Sequence, residues 1–549
     1  MATSRRRHSI QYVQYLYDSK EDPSVLENLV RAWRGIKALP SYHPNSFFSI
    51  ASFHGEPFRG PGVTDPAWWG GYCNHGNILF PTWHRVFLLR LEDALRSIPG
   101  CENVTLPFWD ETANLEQPSH DLPTPPIPQV PTSPIPKILT SPTFDLDGDN
   151  TNPLYSYTLQ ETLIENVEGA GNRYTKPAGY TTVRYPLSGL VGTEEDKAQT
   201  EAHNNLYTGV DQNIAILNQN VFAWLTGTVE IPSDGDPETH YPDTYSVAAR
   251  YKLCLEAPNY TVFSNTTSQT QWIQDNGSSD IHYVVSLESP HNAMHLAVGG
   301  FYQKGDYDAD PILGANGDMG DNETASFDPI FWFHHCFIDY AFWKWQVFHG
   351  KTAQGSLDVI DGYAGTIVPE GDGIPYLAPG SKLDMNTSLY PFRKADQTYY
   401  SSNDVIDIVN QLGYEYGSGS LDSPMFRPGD SLGEIGVQID TFKRVKNVNR
   451  AHYPGSFIIR TFTEDHKGNK IEVGREPVLS RLNVAGCANC QNKLNVESIV
   501  PIYKGLEAAL RGPNDTMKIK YWAEIHTHRS FSEKLEKAPL VGGPIVEDL

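Results

Sequence analysis

The chain has 549 residues, enough for more than one domain, and its content of 39% hydrophobic and 20% charged residues is ordinary for a globular protein. Its 42 basic and 66 acidic residues give a formal net charge of -24, which argues against a nucleic-acid partner because a phosphate-binding surface needs a basic footprint. The same charge favours neutral or cationic small molecules as substrates.

The N-terminal region carries three successive arginines at 5–7, and the polar residues after them do not form the apolar core of a signal peptide. We expect these arginines to form a solvated tail, and we expect no membrane-spanning segment. Only six cysteines are present, too few for a secreted disulfide scaffold, and the sequence therefore predicts a cytoplasmic protein. The oligomeric state stays open, and a homo-oligomer is compatible with the sequence.

Four segments in the first two thirds of the chain have the hydrophobic spacing of helices. The first covers residues 25–36, and the second begins at Pro81. The other two cover residues 285–300 and 328–347, and a proline opens each of them, as is common at the first helical position. We expect these helices to form the central bundle of the larger domain.

The composition changes near residue 415, where a stretch rich in glycine and serine begins. Beyond it, short segments alternate apolar and polar residues and are separated by turn residues, as in β-strands. We therefore predict a mainly helical catalytic domain over residues 1–413, a linker over 414–424, and an all-β sandwich over 425–549 that covers the active site.

His291 and His295 are four residues apart in the third predicted helix, so both imidazoles face the same side and can bind one metal ion. His335, in the fourth helix, can supply a third ligand. We expect Asp339, one turn later, to accept the second N–H of His335. We expect Phe331, one turn earlier, to pack against the ligand rings.

A second group of histidines lies earlier in the chain and consists of His54, His75 and His84. A single histidine is most often a surface residue or a hydrogen-bonded core residue. Two groups of three beside apolar helical positions instead indicate a site for two metal ions. All-imidazole ligation suits copper, zinc, iron and nickel, so the spacing leaves the metal open.

The segments around these histidines resemble the two copper motifs of tyrosinases, catechol oxidases and hemocyanins. The first motif is Tyr-Cys-Asn-His at 72–75 with Pro-Thr-Trp-His-Arg at 81–85. The second, which is long and specific, is Asp-Pro-Ile-Phe-Trp-Phe-His-His-Cys-Phe-Ile-Asp at 328–339. The segment Gly-Cys-Ala-Asn-Cys-Gln at 486–491 extends the resemblance to the C-terminal domain of fungal-type pro-tyrosinases.

The resemblance implies a dicopper site inside the helical bundle. One copper ion would be held by His54, His75 and His84, and the other by His291, His295 and His335, with His334 as a neighbour that is not a ligand. The resemblance also implies a thioether bond between Cys73 and His75, which would orient a ligand that no helix positions.

The family's chemistry gives the expected activity. Two copper ions bind O2, the co-substrate, and the enzyme hydroxylates monophenols such as tyrosine and oxidises o-diphenols to o-quinones. Small phenols are therefore the expected partners. In members that hydroxylate monophenols, a glutamate and an asparagine are thought to hold a water that takes the phenol proton, and Glu288 and Asn292 stand at these positions beside His291.

Three other functions share part of this sequence pattern. A catechol oxidase uses the same copper site without monophenol hydroxylation, and Glu288 and Asn292 argue against it. A hemocyanin-like O2 carrier would be secreted and very large. A zinc hydrolase would not explain six histidines without a carboxylate ligand.

Cys487 and Cys490 form a CxxC pair in the predicted β-domain. No second pair accompanies them, so structural zinc is disfavoured, and we expect them to handle Cu(I) during loading because thiolates are soft ligands. The preceding residues, 477–483, are largely aliphatic where related pro-tyrosinases carry an aromatic side chain that plugs the site. This difference argues against a plugged, latent enzyme.

Overall fold

The computed structural model describes most of the chain. The described residues are 5–55, 71–113, 133–165, 172–226, 246–276, 283–300, 315–368, 377–422, 439–453, 455–481, 484, 493–503, 505–511, 518–527 and 543–549. Within them, a mainly helical region is followed by a β-rich C-terminal region, which confirms the predicted fold class.

The helices are α1 (Ile10–Asp18), α2 (Ser24–Ala38), α3 (Phe47–Ala51), α4 (Phe80–Arg96), α5 (Lys137–Thr140), α6 (Glu194–Asn204), α7 (Val210–Thr226), α8 (Val247–Leu255), α9 (Tyr260–Ser264), α10 (Thr266–Asn276), α11 (Glu288–Gly299), α12 (Ile330–Phe348) and α13 (Leu506–Leu510). The strands are β1 (Arg5–Arg7), β2 (Thr143–Leu146), β3 (Asp149–Thr151), β4 (Ser388–Arg393), β5 (Tyr399–Ser401), β6 (Tyr414–Tyr416), β7 (Ile439–Asn449), β8 (Phe457–Glu464), β9 (Lys470–Val478), β10 (Asn495–Tyr503), β11 (Trp522–Thr527) and β12 (Ile545–Asp548). None of the helices in the described ranges is long and apolar enough to cross a membrane.

The four helices expected from the sequence are present as α2, α4, α11 and α12. Every residue of α11 is buried, and α12 is buried from its start to Phe342. A helix that is apolar on nearly all sides belongs inside a protein rather than on its surface, which explains the central position of α12. Helix α11 is buried although it carries Glu288, Asn292 and two histidines. Helix α4 packs against α12 and α2, and all these helices share one continuous hydrophobic core.

The arginines at 5–7 form strand β1, not the solvated tail expected from the sequence. They pair in parallel with strand β6, so residues 414–416 are part of the helical domain, although we expected the linker to begin there. Arg7 is completely buried, and its Nε donates to Glu92 at 2.7 Å. A buried guanidinium is stable only beside acceptors that compensate its charge, and the sequence pattern around these arginines did not reveal any.

Asp339 compensates two buried arginines at once. Its carboxylate accepts from Arg85 Nε at 2.6 Å and lies 3.5 Å from Arg7 Nη1. The hydroxyls of Tyr414 and Tyr416 donate to it at 2.7 and 2.5 Å. Burial alone would raise the pKa of Asp339, but Arg85 and Arg7 lower it below its ordinary value. This carboxylate therefore joins strands β1 and β6 to helices α4 and α12.

We expect Asp339→Asn to lower the free energy of unfolding by about 3–5 kcal/mol, because removing one partner leaves buried charges uncompensated. Urea titration of metal-free protein measures this change without a contribution from copper loss. Asp358→Asn is the matched control, since Asp358 binds Lys351 at the surface and such exposed pairs contribute at most about 1 kcal/mol. Equal losses in the two variants would contradict the role of Asp339.

In its described residues, the C-terminal domain contains two three-stranded sheets, with strand orders β10-β7-β12 and β11-β8-β9. The pairings within both sheets are antiparallel. Buried apolar residues form the clusters between them, including Val445, Phe457 and Ile459 in one cluster and Val500 and Ile502 in another. The arrangement is the sandwich predicted from the alternating pattern.

Hydrogen bonds tie the sandwich to the helical domain beside helix α11. Arg250 in α8 binds Glu476 in β9 at 3.0 Å, and Gln274 in α10 donates to Glu497 in β10 at 2.6 Å. Lys493, just before β10, donates to Thr266 Oγ1 at 3.0 Å. The β-domain thus lies against α8 and α10, and its strand β9 also contacts α11, which carries two of the predicted metal ligands.

Candidate metal centre

The six predicted ligands come from five segments that the core holds together. His54 follows the short helix α3, and His75 lies in the loop before α4. His84 is in the first turns of α4, while α11 and α12 carry the other three. His75 is partly exposed, and the other five are buried.

His54, His75 and His84 form the first trio. The ring centroids of His54 lie 5.6 Å from those of His75 and His84, and the last two are 5.3 Å apart. The Nδ1–H of His84 donates to the carbonyl of Phe80 at 2.8 Å, so its Nε2 carries a free lone pair. The Nε2 atoms of all three rings are buried without a hydrogen-bond partner in the described structure.

The second trio consists of His291, His295 and His335. Their Nε2 atoms converge, with His335 Nε2 at 3.3 Å from that of His291 and 3.2 Å from that of His295. The Nδ1–H of His295 donates to the carbonyl of Met319 at 2.9 Å, and Nδ1 of His291 lies 2.9 Å from Asn292 Oδ1. Since both oxygens are acceptors, the inward Nε2 atoms of His291 and His295 present lone pairs to each other.

These two trios fit metal ions. Burial lowers the pKa of His84 to about 3 and lowers the pKa values of His54, His75, His291, His295 and His335 well below the ordinary value, so the imidazoles are neutral. Neutral lone pairs that face one another in a dry core repel unless a cation lies between them. The trios also adjoin, with the rings of His84 and His335 stacked at 4.7 Å, as a two-metal site requires.

Phe331 and Asp339 were both expected to support His335, and only Phe331 does. Its ring stacks on that of His335 with centroids 4.0 Å apart. The prediction for Asp339 is wrong, because its carboxylate binds Arg7 and Arg85 and leaves Nδ1 of His335 buried without a partner among the described residues. Two buried guanidinium groups attract the carboxylate more strongly than a neutral imidazole does.

The structure also reveals a pair that sequence reasoning missed. Nδ1 of His334 lies 2.5 Å from Glu111 Oε1, and the hydroxyl of Tyr251 donates to the other oxygen of Glu111 at 2.6 Å. All three residues are buried, and burial raises the pKa of Glu111 well above its ordinary value. The pair fixes the ring of His334 beside the second trio. The contacts with the Nε2 atoms of His291 and His295 are made by His335 and not by His334. Residues 111 and 334 are too distant in sequence for any local pattern to join them.

Cys73 lies beside the first trio. Its Sγ and one nitrogen each of His54 and His75 all lie within 4.8 Å of one another. Cys73 is buried, and burial raises the pKa of its thiol. The position is compatible with the thioether to His75 that the resemblance implies, and that bond stays a prediction.

A cavity of about 470 Å³ lies between the two domains and reaches the first trio at His75. His75, Glu288 and Asn292 line it from the helical side. Glu288 Oε1 accepts from the backbone N–H of Gly76 at 2.7 Å, and Oε2 accepts from the N–H and Oγ1 of Thr266 at 2.9 and 3.1 Å. These donors hold the carboxylate in one orientation at the mouth of the metal centre.

The helix that carries His291 and His295 begins two residues before Pro290, the proline that was expected to open it. Helix α11 begins at Glu288 with Leu287 before it, so Ser289 and Pro290 lie inside its first turn. Proline is tolerated there because the first N–H groups of a helix have no intrahelical partner. The shift places Glu288 on the helix, one turn before His291.

The β-domain lines the cavity with residues 477–481, the largely aliphatic segment noted in the sequence. Cys487 and Cys490 lie outside the described residues, so their predicted role in copper loading stays a prediction. In the described structure, the β-domain side of the cavity also includes Arg450 and Lys493. That this domain covers the active site stays a prediction.

Comparisons with known proteins agree with this geometry. The model of the common central domain of tyrosinase matches residues 44–347. Tyrosinase HcTyr2 of Hahella sp. is 44% identical over 96% of this chain and 93% of its own length. A tyrosinase of Aspergillus oryzae is 39% identical over 87% of this chain and 86% of its own length.

Solved structures are similar over the whole chain. The tyrosinase of Burkholderia thailandensis at low pH has a TM-score of 0.79 and 41% identity, and the match covers 99% of this chain and 100% of that one. The match to the same enzyme at high pH has a TM-score of 0.75 and 38% identity, and covers the whole of both chains. With six histidines in two adjoining trios and relatives of this identity over nearly its full length, the chain belongs to the tyrosinase family.

Proposed function

We propose that this tyrosinase hydroxylates monophenols ortho to their hydroxyl group and oxidises o-diphenols to o-quinones with O2. The observation that carries the proposal is the pair of adjoining histidine trios beside a cavity that His75, Glu288 and Asn292 line. A cavity of this volume accommodates a small aromatic molecule.

One copper ion would be held by His54, His75 and His84, and the other by His291, His295 and His335. When bound, the copper pair would bind O2, which supplies the oxidising equivalents of the reaction. The chain's own contribution is to keep the imidazoles neutral and fixed, through the carbonyl acceptors of Phe80 and Met319, and to exclude water through the surrounding aromatic rings.

The proton of a monophenol is the main obstacle that the protein's side chains address. A phenol pKa near 10 makes ionisation at pH 7 cost about 4 kcal/mol. We assign Glu288 and Asn292 to hold the water that accepts this proton, since both line the cavity beside His291. Asn292 also accepts from His291 through Oδ1, which couples its orientation to that of the ligand ring.

A matched pair of neutral substrates tests the function. Copper-loaded protein should consume O2 with 4-methylphenol and with 4-methylcatechol and convert both to the same o-quinone. Oxidation of the catechol alone would identify a catechol oxidase. Reversible O2 uptake without turnover of either substrate would identify a carrier. The cytoplasmic location and the oligomeric state stay predictions.

A further inference from the structure

The cavity above the metal centre has a wall that the β-domain supplies, and that wall is rich in charged residues. Arg444, Arg450, Arg481 and Lys493 are its basic residues, and Glu476 and Glu497 its acidic ones. The helical side contributes Glu288 and Asp275. Whether these charges neutralise one another decides which substrates the cavity favours.

Most of the charged groups have partners within the wall. Arg444 Nε donates to Glu497 at 3.0 Å, and Glu497 also accepts from Gln274. Glu476 binds Arg250 at 3.0 Å and accepts from the hydroxyl of Ser289. Arg481 lies 3.7 Å from Glu323. The contacts of Glu497 with Gln274, of Glu476 with Arg250 and of Arg481 with Glu323 join the two domains, and each of these charged groups already has a partner.

Arg450 is different. In the described structure its guanidinium forms no ion pair within 4 Å, and its Nε is buried without a hydrogen-bond partner. Burial lowers the pKa of Arg450 to about 10, and the nearest charge that opposes this effect is Glu288. Arg450 is partly exposed, and only its Nε is fully buried without a partner. A charged guanidinium that lines a cavity without an acceptor has free donors, which an anion would satisfy.

Lys493 lies next to Arg450, and both face the carboxylate of Glu288. Its Nζ donates to Thr266 Oγ1 at 3.0 Å, and burial lowers its pKa to about 8, with Glu288 opposing the shift and Arg450 adding to it. The side chain passes over Gly76, where a Cβ would come within 2.4 Å of it. Because glycine has no side chain, position 76 leaves space for Lys493 to lie beside His75.

Glu288 cannot neutralise both cations. Its two oxygens already accept three hydrogen bonds from Gly76 and Thr266, and no direct ion pair joins it to Arg450 or Lys493 in the described structure. Lys493 also faces Glu476, but that carboxylate is shared with Arg250, and Asp275 interacts with Tyr363 instead. Arg250, Arg450 and Lys493 against Glu288 and Glu476 therefore leave one positive charge at the inner end of the cavity. This local excess is opposite in sign to the formal net charge of -24, from which neutral or cationic substrates were expected.

We propose that Arg450 and Lys493 form a carboxylate subsite that selects phenols bearing an anionic side chain. The inference rests on the proposed function, because it places the phenol ring at the metal centre and its carboxylate at the β-domain wall. A guanidinium binds a carboxylate through two parallel hydrogen bonds, and the lysine adds a point charge. The C-terminal domain then contributes to substrate selection.

Two substrates that differ only in charge test the subsite, namely 3-(4-hydroxyphenyl)propionate and its amide. In Arg450→Gln we expect kcat/KM for the acid to fall about tenfold to a hundredfold, the range for losing a hydrogen bond to a charged group, and mainly through KM. The amide should change less than about twofold. Lys493→Gln should act in the same direction, and Arg450→Lys should recover part of the loss.

Arg444→Gln is the matched control, since Arg444 lines the same wall but is bound by Glu497. We expect it to leave the ratio of acid to amide turnover unchanged. Calorimetry on metal-free protein gives a readout that is independent of turnover. 3-Phenylpropionate should bind more tightly than 3-phenylpropionamide to the unaltered chain, and Arg450→Gln should abolish that difference.

The outcomes separate the subsite from its alternatives. Equal changes in kcat/KM for the acid and the amide in Arg450→Gln would overturn the proposal. A rise in kcat/KM for both substrates would overturn it too, and would show that Arg450 only keeps the β-domain against the helical domain. No effect of Arg450→Gln on either measurement would also overturn it. If the unaltered enzyme oxidised neither phenol, the proposed function would fail, and calorimetry on the metal-free protein would still decide the subsite.

Discussion

His295→Ala should reduce the copper content from about two ions per chain to about one and abolish turnover of both monophenols and diphenols. His295 belongs to the second trio, where its Nε2 lies 3.2 Å from that of His335. Two remaining imidazoles bind a metal weakly, whereas the first trio keeps all of its ligands. Elemental analysis after dialysis against a weak chelator measures the copper content.

His526→Ala provides the control for this experiment. His526 lies in strand β11 beside Glu524, far along the chain from either trio, and its loss should leave both ions in place. Circular dichroism should show that both variants are folded, since His295 is one buried side chain in a large core. Retention of both ions and of full activity by His295→Ala would rule out the assigned ligand set.

Glu288→Gln should slow hydroxylation of a monophenol about 10²–10⁴-fold, the range for losing a group that assists proton transfer. An amide is a poor proton acceptor. Its NH2 group would also face the N–H of either Gly76 or Thr266, where the carboxylate now accepts. We expect oxidation of the matching o-diphenol to fall by less than about tenfold, because the copper ligands remain unchanged.

The measurement is the ratio of the two rates with 4-methylphenol and 4-methylcatechol, which cancels any difference in copper loading. Glu497→Gln serves as the control, because Glu497 lines the same cavity but binds Arg444. Its ratio should equal that of the unaltered enzyme. If Glu288→Gln reduced both rates equally, Glu288 would be a structural residue of helix α11 and not part of proton removal.

The sequence alone determined those features that depend on local spacing. The period of the apolar residues located α2, α4, α11 and α12, and the four-residue spacing placed His291 and His295 on one face. The alternating pattern predicted the sandwich from runs at 435–439, 456–462, 470–473 and 517–525. It missed strands β10 and β12 and located only the first residue of β7. Strand β12 is a short edge strand with exposed residues, and such strands carry little pattern of their own.

The tertiary structure decided how distant charged residues pair. Arg7 and Asp339 belong to segments more than three hundred residues apart, and only folding shows that the arginine is buried and that the carboxylate binds it rather than His335. No local pattern in the sequence predicts the contact of Glu111 with His334 or the position of Arg450 beside Glu288. Helical and strand periodicity reports which side of an element is buried, whereas the pairing of buried charges depends on which elements the core brings together.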